Sequence, residues 1–390
     1  MIVDGKLEAR AVEETFDYVI VGSGAAGATA ARVLADTGAS IGVVEEGPAY
    51  DPALFGDRMY PALRDMFRDM GTQIARGRTF IPVLQGRGLG GSTVVNSAIV
   101  WRIPDDVWEP WDRVFGLGDT LPLGELHEQW DQIESEIAVA RTPPEVWGRN
   151  NSVVDDAVAG LGLSGAATRR NVHNCRGSSR CQLGCPYNAK QSMLITYLPY
   201  AEERGATVFV NAPVRRVVRR GDRAVGVTGH FHSTDRKKRG PRFELRARKA
   251  VIVACSAIQT PGLLHRSGVR SRHLGAHFQA HPGVPVVGVF DDKIDVWTGA
   301  TQGYDVDEHR RDWRFKIESL SLPPEMIFAR LPGVGTSWLD NIAASGHMTS
   351  WAVQMRATAE GSIHDHFFGT DIRFSLNELD MTNIRRGIRF

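Results

Sequence analysis

Apolar and amphipathic stretches alternate over the first fifty residues of this chain. Residues 18–21 form an apolar run without a polar break, which is the pattern of a strand buried on both faces. A helix is expected at 25–37, and residues 41–44 form a second apolar run. The pattern therefore predicts a strand, a helix and a second, parallel strand.

Runs of the same kinds continue along the chain. From Gly283 onward, apolar and polar residues alternate, which predicts an antiparallel sheet that residues 351–374 continue. The other predicted elements are, in chain order, a strand at 190–200, a helix at 201–205, a strand at 207–211, a hairpin of 214–218 and 224–227, a strand at 250–254 and a helix at 380–387.

A glycine-rich turn separates the first predicted strand from its helix. Gly22, Gly24 and Gly27 form the pattern G-x-G-x-x-G. The first glycine allows a tight turn, the second lets the backbone approach a pyrophosphate, and the third lets helix and strand pack closely. The helix then begins at Ala25 and Ala26, and its N–H groups and positive dipole end point at that phosphate.

An acidic residue ends the second predicted strand. Glu45 stands at the position where a carboxylate can accept hydrogen bonds from a ribose diol. Together with the glycine turn, it predicts that this segment binds a dinucleotide. An NAD-linked dehydrogenase is one class of protein with this fingerprint.

Composition and charge narrow the class of protein. A chain of 390 residues predicts two domains or one large α/β unit. The net charge of +1 gives no reason to expect a nucleic-acid partner, and the basic run at 236–242 reads as a solvated loop. The charged first fifteen residues are no secretory signal, and no apolar run is long enough to span a membrane. We therefore expect a soluble, cytoplasmic protein.

A second glycine-rich loop, GRGLGGSTVVN, begins at Gly86. Backbone amides of such a loop can wrap an anionic ligand. The loop resembles the first signature of the glucose–methanol–choline (GMC) family of FAD oxidoreductases, GRVLGGSSxxN. The resemblance implies that Gly91, Ser92 and Asn96 cover the pyrophosphate and line the flavin edge. The other matching residues are Gly86, Arg87, Leu89 and Gly90.

A second stretch, KAVIVACSAIQTPGLLHRSG, resembles the second signature of this family, GAxxSPxLLxxSG. Ser256 stands where the family has glycine, and a backbone position with φ > 0 would resist a serine. The residue that matches Val214 lies beside the adenine in family members. Some relatives tether FAD to a histidine just before the asparagine; this chain has Val95 there, so the resemblance implies non-covalent FAD.

Three cysteines, Cys175, Cys181 and Cys185, are spaced C-x5-C-x3-C, and Pro186 follows the last. They can be small buried thiols, a common role of free cysteine. They can also bind an iron–sulfur cluster, since the spacing and the proline resemble the cluster motif of bacterial FAD glucose dehydrogenases, a branch of this family. Zinc is a third alternative, although structural zinc usually has two separated pairs of ligands.

The resemblance implies an α/β fold in which an FAD-binding, Rossmann-like domain of GMC type is joined to a second, antiparallel-sheet substrate domain. We expect the FAD-binding domain at 10–60, 80–135 and 165–283, a lid or cover segment at 61–79, and the substrate domain at 284–390. The C-terminal catalytic segment of the family, with its His-x-x-Gly-Thr motif, is absent. A similar motif begins at His366, but it falls within a predicted strand of the substrate sheet, which leaves His366 a weak candidate for the catalytic base.

The function implied is oxidation of a small-molecule alcohol to a carbonyl by hydride transfer to FAD. Because the catalytic segment is absent, we expect a second subunit to carry it, so that this chain is the larger part of a split enzyme. One alternative is a non-catalytic flavin-binding subunit. Another is an electron-transferring dehydrogenase subunit with an iron–sulfur cluster. An NAD-linked dehydrogenase would leave GRGLGGSTVVN unexplained.

Overall fold

Parallel strands near the N-terminus form the centre of the largest sheet in the computed structural model, which describes residues 1–235, 238–366 and 369–390. The strands are β1 (Ile2–Asp4), β2 (Val12–Val21), β3 (Ile41–Val44), β4 (Ile74–Arg76), β5 (Phe80–Pro82), β6 (Val139–Arg141), β7 (Gly165–Ala167), β8 (Arg169–Asn171), β9 (Thr207–Val210), β10 (Val214–Arg220), β11 (Arg223–His230), β12 (Arg242–Val253), β13 (Ala276–Phe278), β14 (Gly283–Val286), β15 (Tyr304–Val306), β16 (Phe315–Ser319), β17 (Trp351–Met355), β18 (Gly361–His366) and β19 (Gly369–Arg373). The helices are α1 (Ala25–Ala35), α2 (Met59–Met66), α3 (Asp105–Phe115), α4 (Leu123–Glu136), α5 (Arg149–Leu161), α6 (Tyr197–Glu203), α7 (Ser256–Arg266), α8 (Pro324–Phe328), α9 (Thr336–Ala344) and α10 (Glu378–Arg389).

The large sheet has the strand order β1-β9-β3-β2-β12-β11-β10. Its pairs are parallel from β1 to β12 and antiparallel from β12 to β10. Val19 in β2 pairs with Gly42 on one side and with Val251 on the other, and it is fully buried. This arrangement confirms the predicted strand, helix and parallel strand. The predicted hairpin is also confirmed, because β10 and β11 pair across a turn at Gly221 and Asp222.

Strands β3 and β9 are buried along their whole lengths, as expected for strands covered on both faces. Phe16 in β2 and Phe209 in β9 meet edge to face with ring centroids 6.1 Å apart. Such a pair adds about 0.5–1.5 kcal/mol to the burial of its apolar area. The aromatic contact therefore helps to fix the strands that carry the glycine turn.

The second half of β12 has a strand on one side only. Residues 250–253 pair with β2, whereas β11 pairs with residues 242–246. Within the part of the chain that the structure describes, no strand borders 250–253 on the side away from β2. These four apolar residues are each only half-buried. An unpaired, apolar strand edge of this kind is a template for the addition of another strand.

The described chain divides into two compact units. Unit 1 comprises residues 1–95, 192–280 and 358–376, and unit 2 comprises residues 96–191, 281–357 and 377–390. The predicted boundaries are placed differently: residues 96–135 and 165–191 fall in unit 2, and the expected lid, 61–79, is part of unit 1. Which unit binds which molecule stays a prediction.

Unit 2 contains an antiparallel sheet with the order β14-β17-β16-β15-β7. It confirms the sheet predicted from Gly283 onward. The expectation that 351–374 continues this sheet is wrong beyond β17, because β18 and β19 pair in unit 1 in a sheet of order β13-β18-β19-β4-β5. Alternation of side chains predicts a strand but not its partner, since that partner is distant in sequence.

The strand predicted at 190–200 is wrong. Local bonds replace a sheet ladder there: the Thr196 hydroxyl donates to the Ser192 carbonyl oxygen at 2.9 Å, and the Met193 N–H donates to the Thr93 hydroxyl at 3.1 Å. Hydroxyl side chains that bond nearby backbone favour turns and helix starts over strands. The helix α6 follows from Tyr197.

Two further predictions are tested only within the described residues. In residues 1–235, 238–366 and 369–390, no helix is both long and apolar enough to cross a bilayer. The basic run predicted as a solvated loop includes Arg236 and Lys237, which lie outside the described residues.

Candidate functional site

The first glycine turn has the geometry that its fingerprint predicts. Gly22 has φ of 98°, a conformation that favours glycine. A Cβ on Gly27 would lie 1.9 Å from the Gly22 carbonyl oxygen, so α1 can approach the turn only with glycine at this position. A Cβ on Gly24, in contrast, would meet no atom within 4 Å. Gly24 therefore caps α1 beside open space, and Ala25 and Ala26 in the first turn of the helix are exposed.

The second glycine loop packs directly against the first turn. A Cβ on Gly91 would lie 2.9 Å from the Cα atom of Gly24. Nearby, a Cβ on Gly47 would lie 2.5 Å from the backbone nitrogen of Gly88. Gly90, Gly91 and Gly88 all have positive φ, which allows the loop to bend around these contacts. Unit 1 thus brings together the two glycine stretches that are separated in sequence.

The carboxylate of Glu45 links these turns. Its Oε2 accepts hydrogen bonds from the Ser23 hydroxyl at 2.6 Å and the Ser23 N–H at 3.1 Å, and its Oε1 accepts one from the Gly47 N–H at 2.9 Å. Glu45 is 6% exposed. The Ser23 hydroxyl also accepts a bond from the Gly90 N–H at 3.2 Å. Sequence reasoning missed Ser23, whose only signal is a small polar residue between the first two fingerprint glycines.

Two buried guanidinium groups lie in the same unit. Arg87 contacts Nε2 of His232 through Nη2 at 2.9 Å, and Arg68 forms an ion pair with Glu46. In both arginines the Nε atom is buried and has no hydrogen-bond partner among the described residues. Burial and the positive charge of Arg87 lower the pKa of Arg68. Burial and Arg87 likewise lower the pKa of His232. An anion bound here would relieve the mutual repulsion of the two cations.

The remaining predicted cofactor residues lie as follows. Ser92 is exposed, and its hydroxyl accepts a bond from the Gly86 N–H at 3.0 Å. Asn96 belongs to unit 2, where its Oδ1 accepts a bond from the Ala98 N–H at 3.1 Å. Val214 is the first residue of β10 and is half-buried.

Ser256 occupies a left-handed backbone position, with φ of 65°. This conformation explains why glycine stands there in the family that the sequence resembles. The serine hydroxyl accepts bonds from the Ile258 N–H at 3.2 Å and the Gln259 N–H at 3.4 Å. These bonds satisfy N–H groups at the start of α7 and offset part of the cost of the backbone conformation.

A pyrophosphate fits this arrangement. The space at Gly24, the exposed first turn of α1 and the two guanidinium groups each provide what a bound diphosphate needs: close backbone approach, N–H donors and positive charge. The fit depends on unit 1 alone.

The three clustered cysteines line one small cavity in unit 2. Cys181 and Cys185 are buried, Cys175 is half-buried, and all three are free thiols. The cavity has about 10 Å³ of space for water, room for about one molecule. In the described part of the chain, no group of three or more His, Cys, Asp or Glu side chains is arranged to hold a metal ion. As they stand, the cysteines do not fit an iron–sulfur cluster or a zinc ion.

Buried charge also lies on the sheet of unit 2. Asp305 in β15 is directly opposite Glu318 in β16, and both are buried. Lys316 forms an ion pair with Glu318. Burial raises the pKa of Asp305 to about 6, and the charge of Glu318 acts in the same direction, against Lys316.

His366 lies in β18, in unit 1, and its side chain is 56% exposed. Its Nε2 is 3.8 Å from the Asp371 carboxylate, which Arg76 and Arg373 also bind. Since two arginines already neutralise Asp371, this carboxylate gives His366 little support as a base. The prediction that His366 lies in the substrate sheet is wrong, because β18 pairs with β13 and β19. Phe367 and Phe368 of its motif lie outside the described residues.

Comparisons with known proteins agree with this geometry. Residues 16–283 match the family described as GMC oxidoreductase. An uncharacterized GMC-type oxidoreductase of Mycobacterium tuberculosis is 37% identical over 343 residues, which cover 86% of this chain and 53% of that protein. A long-chain-alcohol oxidase of Arabidopsis thaliana is 23% identical over 394 residues, which cover 96% of this chain and 50% of that protein.

A solved structure has a similar fold. A variant of formate oxidase from Aspergillus oryzae RIB40, studied for FAD modification, matches with a TM-score of 0.71 at 17% identity, covering 97% of this chain and 80% of that one. The chain therefore aligns with most of that structure but spans about half the length of the curated relatives named above.

Proposed function

The chain belongs to the GMC oxidoreductase family, and on that premise we propose that it binds FAD non-covalently and forms the larger part of an enzyme that oxidises an alcohol to a carbonyl compound. The observation that carries this proposal is the contact between the two glycine stretches. Gly91 packs on Gly24 while the space beyond Gly24 stays open, which suits a diphosphate lying across the N-terminus of α1.

Each group in unit 1 has a defined task in this proposal. The N–H groups at the start of α1 donate to the diphosphate, and Arg68 and Arg87 add positive charge. Glu45 accepts hydrogen bonds from the ribose with the lone pairs that Ser23 and Gly47 leave available. The same carboxylate holds the two turns in register, so one residue serves both binding and local structure.

Bound FAD would supply the acceptor for the hydride that leaves the carbinol carbon. The protein must supply a base for the hydroxyl proton, in hydrogen-bond reach of the alcohol. His366 is a poor choice for this base, because it is exposed and its acidic neighbour is bound by two arginines.

We therefore propose that the base comes from a polypeptide segment outside residues 1–390, carried by a second subunit. The half-open edge of β12 supports this proposal. Residues 250–253 lie in the central sheet, beside β2, yet present unpaired backbone groups and half-buried apolar side chains. A strand from the second subunit would satisfy those groups and cover the apolar surface.

Anaerobic flavin reduction tests the proposed function. The natively purified protein, with any bound partner, is denatured to identify its cofactor and, in a parallel sample, mixed with aliphatic alcohols without oxygen. We expect FAD in the supernatant and bleaching of the flavin absorbance. Release of NAD, or no flavin at all, would contradict the proposal. FAD that no alcohol bleaches, even with the partner present, would instead support a non-catalytic flavin-binding subunit.

The alternative of a dehydrogenase with an iron–sulfur cluster has weaker support. It rests on the spacing of Cys175, Cys181 and Cys185, which line one cavity. Because the described side chains form no metal-binding group, we derive no electron-transfer step through a cluster.

A further inference from the structure

Two buried cations hold one short segment of unit 2. The Lys190 ammonium donates to the carbonyl oxygen of Asn96 at 2.9 Å, and the Arg170 Nε donates to the carbonyl oxygen of Ser97 at 3.1 Å. Lys190 is 1% exposed and Arg170 is 2% exposed. Charges buried so completely need acceptors and a counter-ion close by.

Both cations also contact Cys181. Lys190 donates to the Cys181 carbonyl oxygen at 2.7 Å, and Nη2 of Arg170 lies 3.0 Å from the Cys181 sulfur. Cys181 thus connects the cysteine loop to the backbone of residues 96 and 97. A sulfur in contact with a buried guanidinium is an environment that favours the thiolate.

The charges around the cysteines support this view. Burial of Cys181 opposes ionisation, but the charges of Arg170 and Lys190 hold its pKa below the ordinary value of a thiol. Cys255, in unit 1, has the opposite character: burial and the charge of Glu45 raise its pKa to about 12. The chain therefore contains an internal control for thiol reactivity.

A second thiol reaches the same cavity from the solvent side. Cys175 is half-buried and lines the cavity together with Cys181 and Cys185. The Gly177 N–H lies 3.5 Å from its sulfur. Because the cavity has room for about one water molecule, the side chains that line it are close to one another.

We propose that Cys175 and Cys181 are an oxidant-sensitive thiol pair that forms a disulfide when hydrogen peroxide enters this cavity. The Cys175 sulfur attacks the peroxide, the O–O bond breaks, and sulfenic acid and one water form. The Cys181 sulfur then attacks the sulfenic sulfur, the S–O bond breaks, and a second water leaves. Two thiols lose two electrons and two protons in total, and one peroxide is reduced to two waters.

Disulfide formation has a structural consequence for residues 96 and 97. It removes the thiolate that faces Arg170, which leaves Arg170 and Lys190 without their nearest anion. Two uncompensated cations repel each other, and their bonds to the Asn96 and Ser97 carbonyl oxygens weaken. We therefore expect oxidation to loosen this segment while leaving the strands of unit 1 unchanged.

Peptide mapping of the whole, natively purified protein tests the proposal directly. The protein is treated with hydrogen peroxide, remaining thiols are blocked at low pH, and disulfide-linked peptides are identified by mass spectrometry. We expect one species that has lost two hydrogens and carries a Cys175–Cys181 link, reversed by dithiothreitol. Hydrogen exchange at the Ala98 amide, which donates to the Asn96 side chain, should increase in the oxidised protein and return after reduction.

Serine variants provide matched controls. C175S and C181S should each abolish the link, whereas C185S and C255S should retain it. Oxidation of Cys255 in preference to the pair, a Cys181–Cys185 link, or an oxidised protein with unchanged Ala98 exchange would overturn the proposal. So would stoichiometric iron on the untreated cysteines, since the thiolates would then be ligands. The mapping uses unmodified protein, so its result does not depend on the folding of any variant.

Discussion

The hydroxyl of Ser23 lies 2.6 Å from Oε2 of Glu45, which means that the residue expected to bind a ribose already binds the glycine turn. We predict that Glu45→Ala weakens FAD binding, because each charge-assisted hydrogen bond contributes about 1.5–3 kcal/mol, or roughly a 10- to 150-fold change in Kd. Isothermal titration of FAD into the apoprotein measures the effect.

Glu46→Ala is the matched control for this variant. Glu46 pairs with Arg68 and makes no printed contact with the glycine turn, so its loss should change FAD affinity less than the loss of Glu45. Equal Kd values for Glu45→Ala and the wild type would show that another group holds the ribose.

Two glycines of the fingerprint should respond differently to alanine. Gly24→Ala places a methyl group in open space, so we expect a nearly unchanged Tm but weaker FAD binding, because the methyl group occupies the space for the diphosphate. Gly27→Ala places a methyl group 1.9 Å from a carbonyl oxygen, so we expect loss of folded protein. Thermal unfolding and flavin content separate the two effects. A Gly24→Ala protein with normal FAD content would contradict the assigned site.

The buried carboxyl of Asp305 should make stability depend on pH. Its pKa is raised from 3.8 to about 6 in the folded protein, so its favourable contribution is complete below pH 4 and is lost as the pH rises through 6. Asp305→Asn should therefore stabilise the protein at pH 7, by at most about 3 kcal/mol. Denaturant unfolding at pH 4 and pH 7 measures the difference.

The exposed Glu308 offers a control for Asp305, since Glu308→Gln alters charge in the same region without a buried carboxyl. A gain from Asp305→Asn that is equal at both pH values would show that the effect comes from packing and not from ionisation.

Metal content decides among the alternatives for the cysteine cluster. We expect anaerobically purified protein to contain neither iron with acid-labile sulfide nor zinc in stoichiometric amounts, because the described side chains form no metal-binding group. Elemental analysis and a sulfide assay measure this. Iron and sulfide in near-equal amounts would instead establish a cluster at Cys175, Cys181 and Cys185.

Native mass spectrometry tests the proposed second subunit. We expect a complex heavier than the 42.9 kDa chain, whose partner contributes a histidine base and a strand beside residues 250–253 of β12. Hydrogen exchange at these four amides should slow when the partner is bound. An alcohol-oxidising species with the mass of this chain alone would refute the idea and make His366 the leading candidate for the base.

The segment from β2 to β3 could be predicted from sequence because its determinants are local. Val19 and its neighbours, the glycine turn and the apolar run of β3 are consecutive, and the pairing follows from the short connection through α1. Ser256 could also be identified from its motif as a position that needs φ > 0, and its φ of 65° agrees.

The contacts that were missed join distant parts of the chain. Lys190 binds the carbonyl oxygen of Asn96, 94 residues earlier, and a single lysine after a cysteine motif gives no sign of that partner. Similarly, the alternation in β18 gives its strand character but not the sheet that it joins. Ser23 was missed for another reason: its bond to Glu45 becomes visible only when the turn and the strand end meet.

The pairing of β2 with β12 sets the order in which this protein can assemble during synthesis. Val19 lies beside Val251, so the central sheet stays incomplete until about two thirds of the chain has left the ribosome. At about 5–20 residues per second, translation of the roughly 230 intervening residues takes on the order of 10–50 s. During that interval one edge of β2 waits, apolar and unpaired, on the nascent chain. Holding chaperones should therefore affect the yield of this protein more than its final stability.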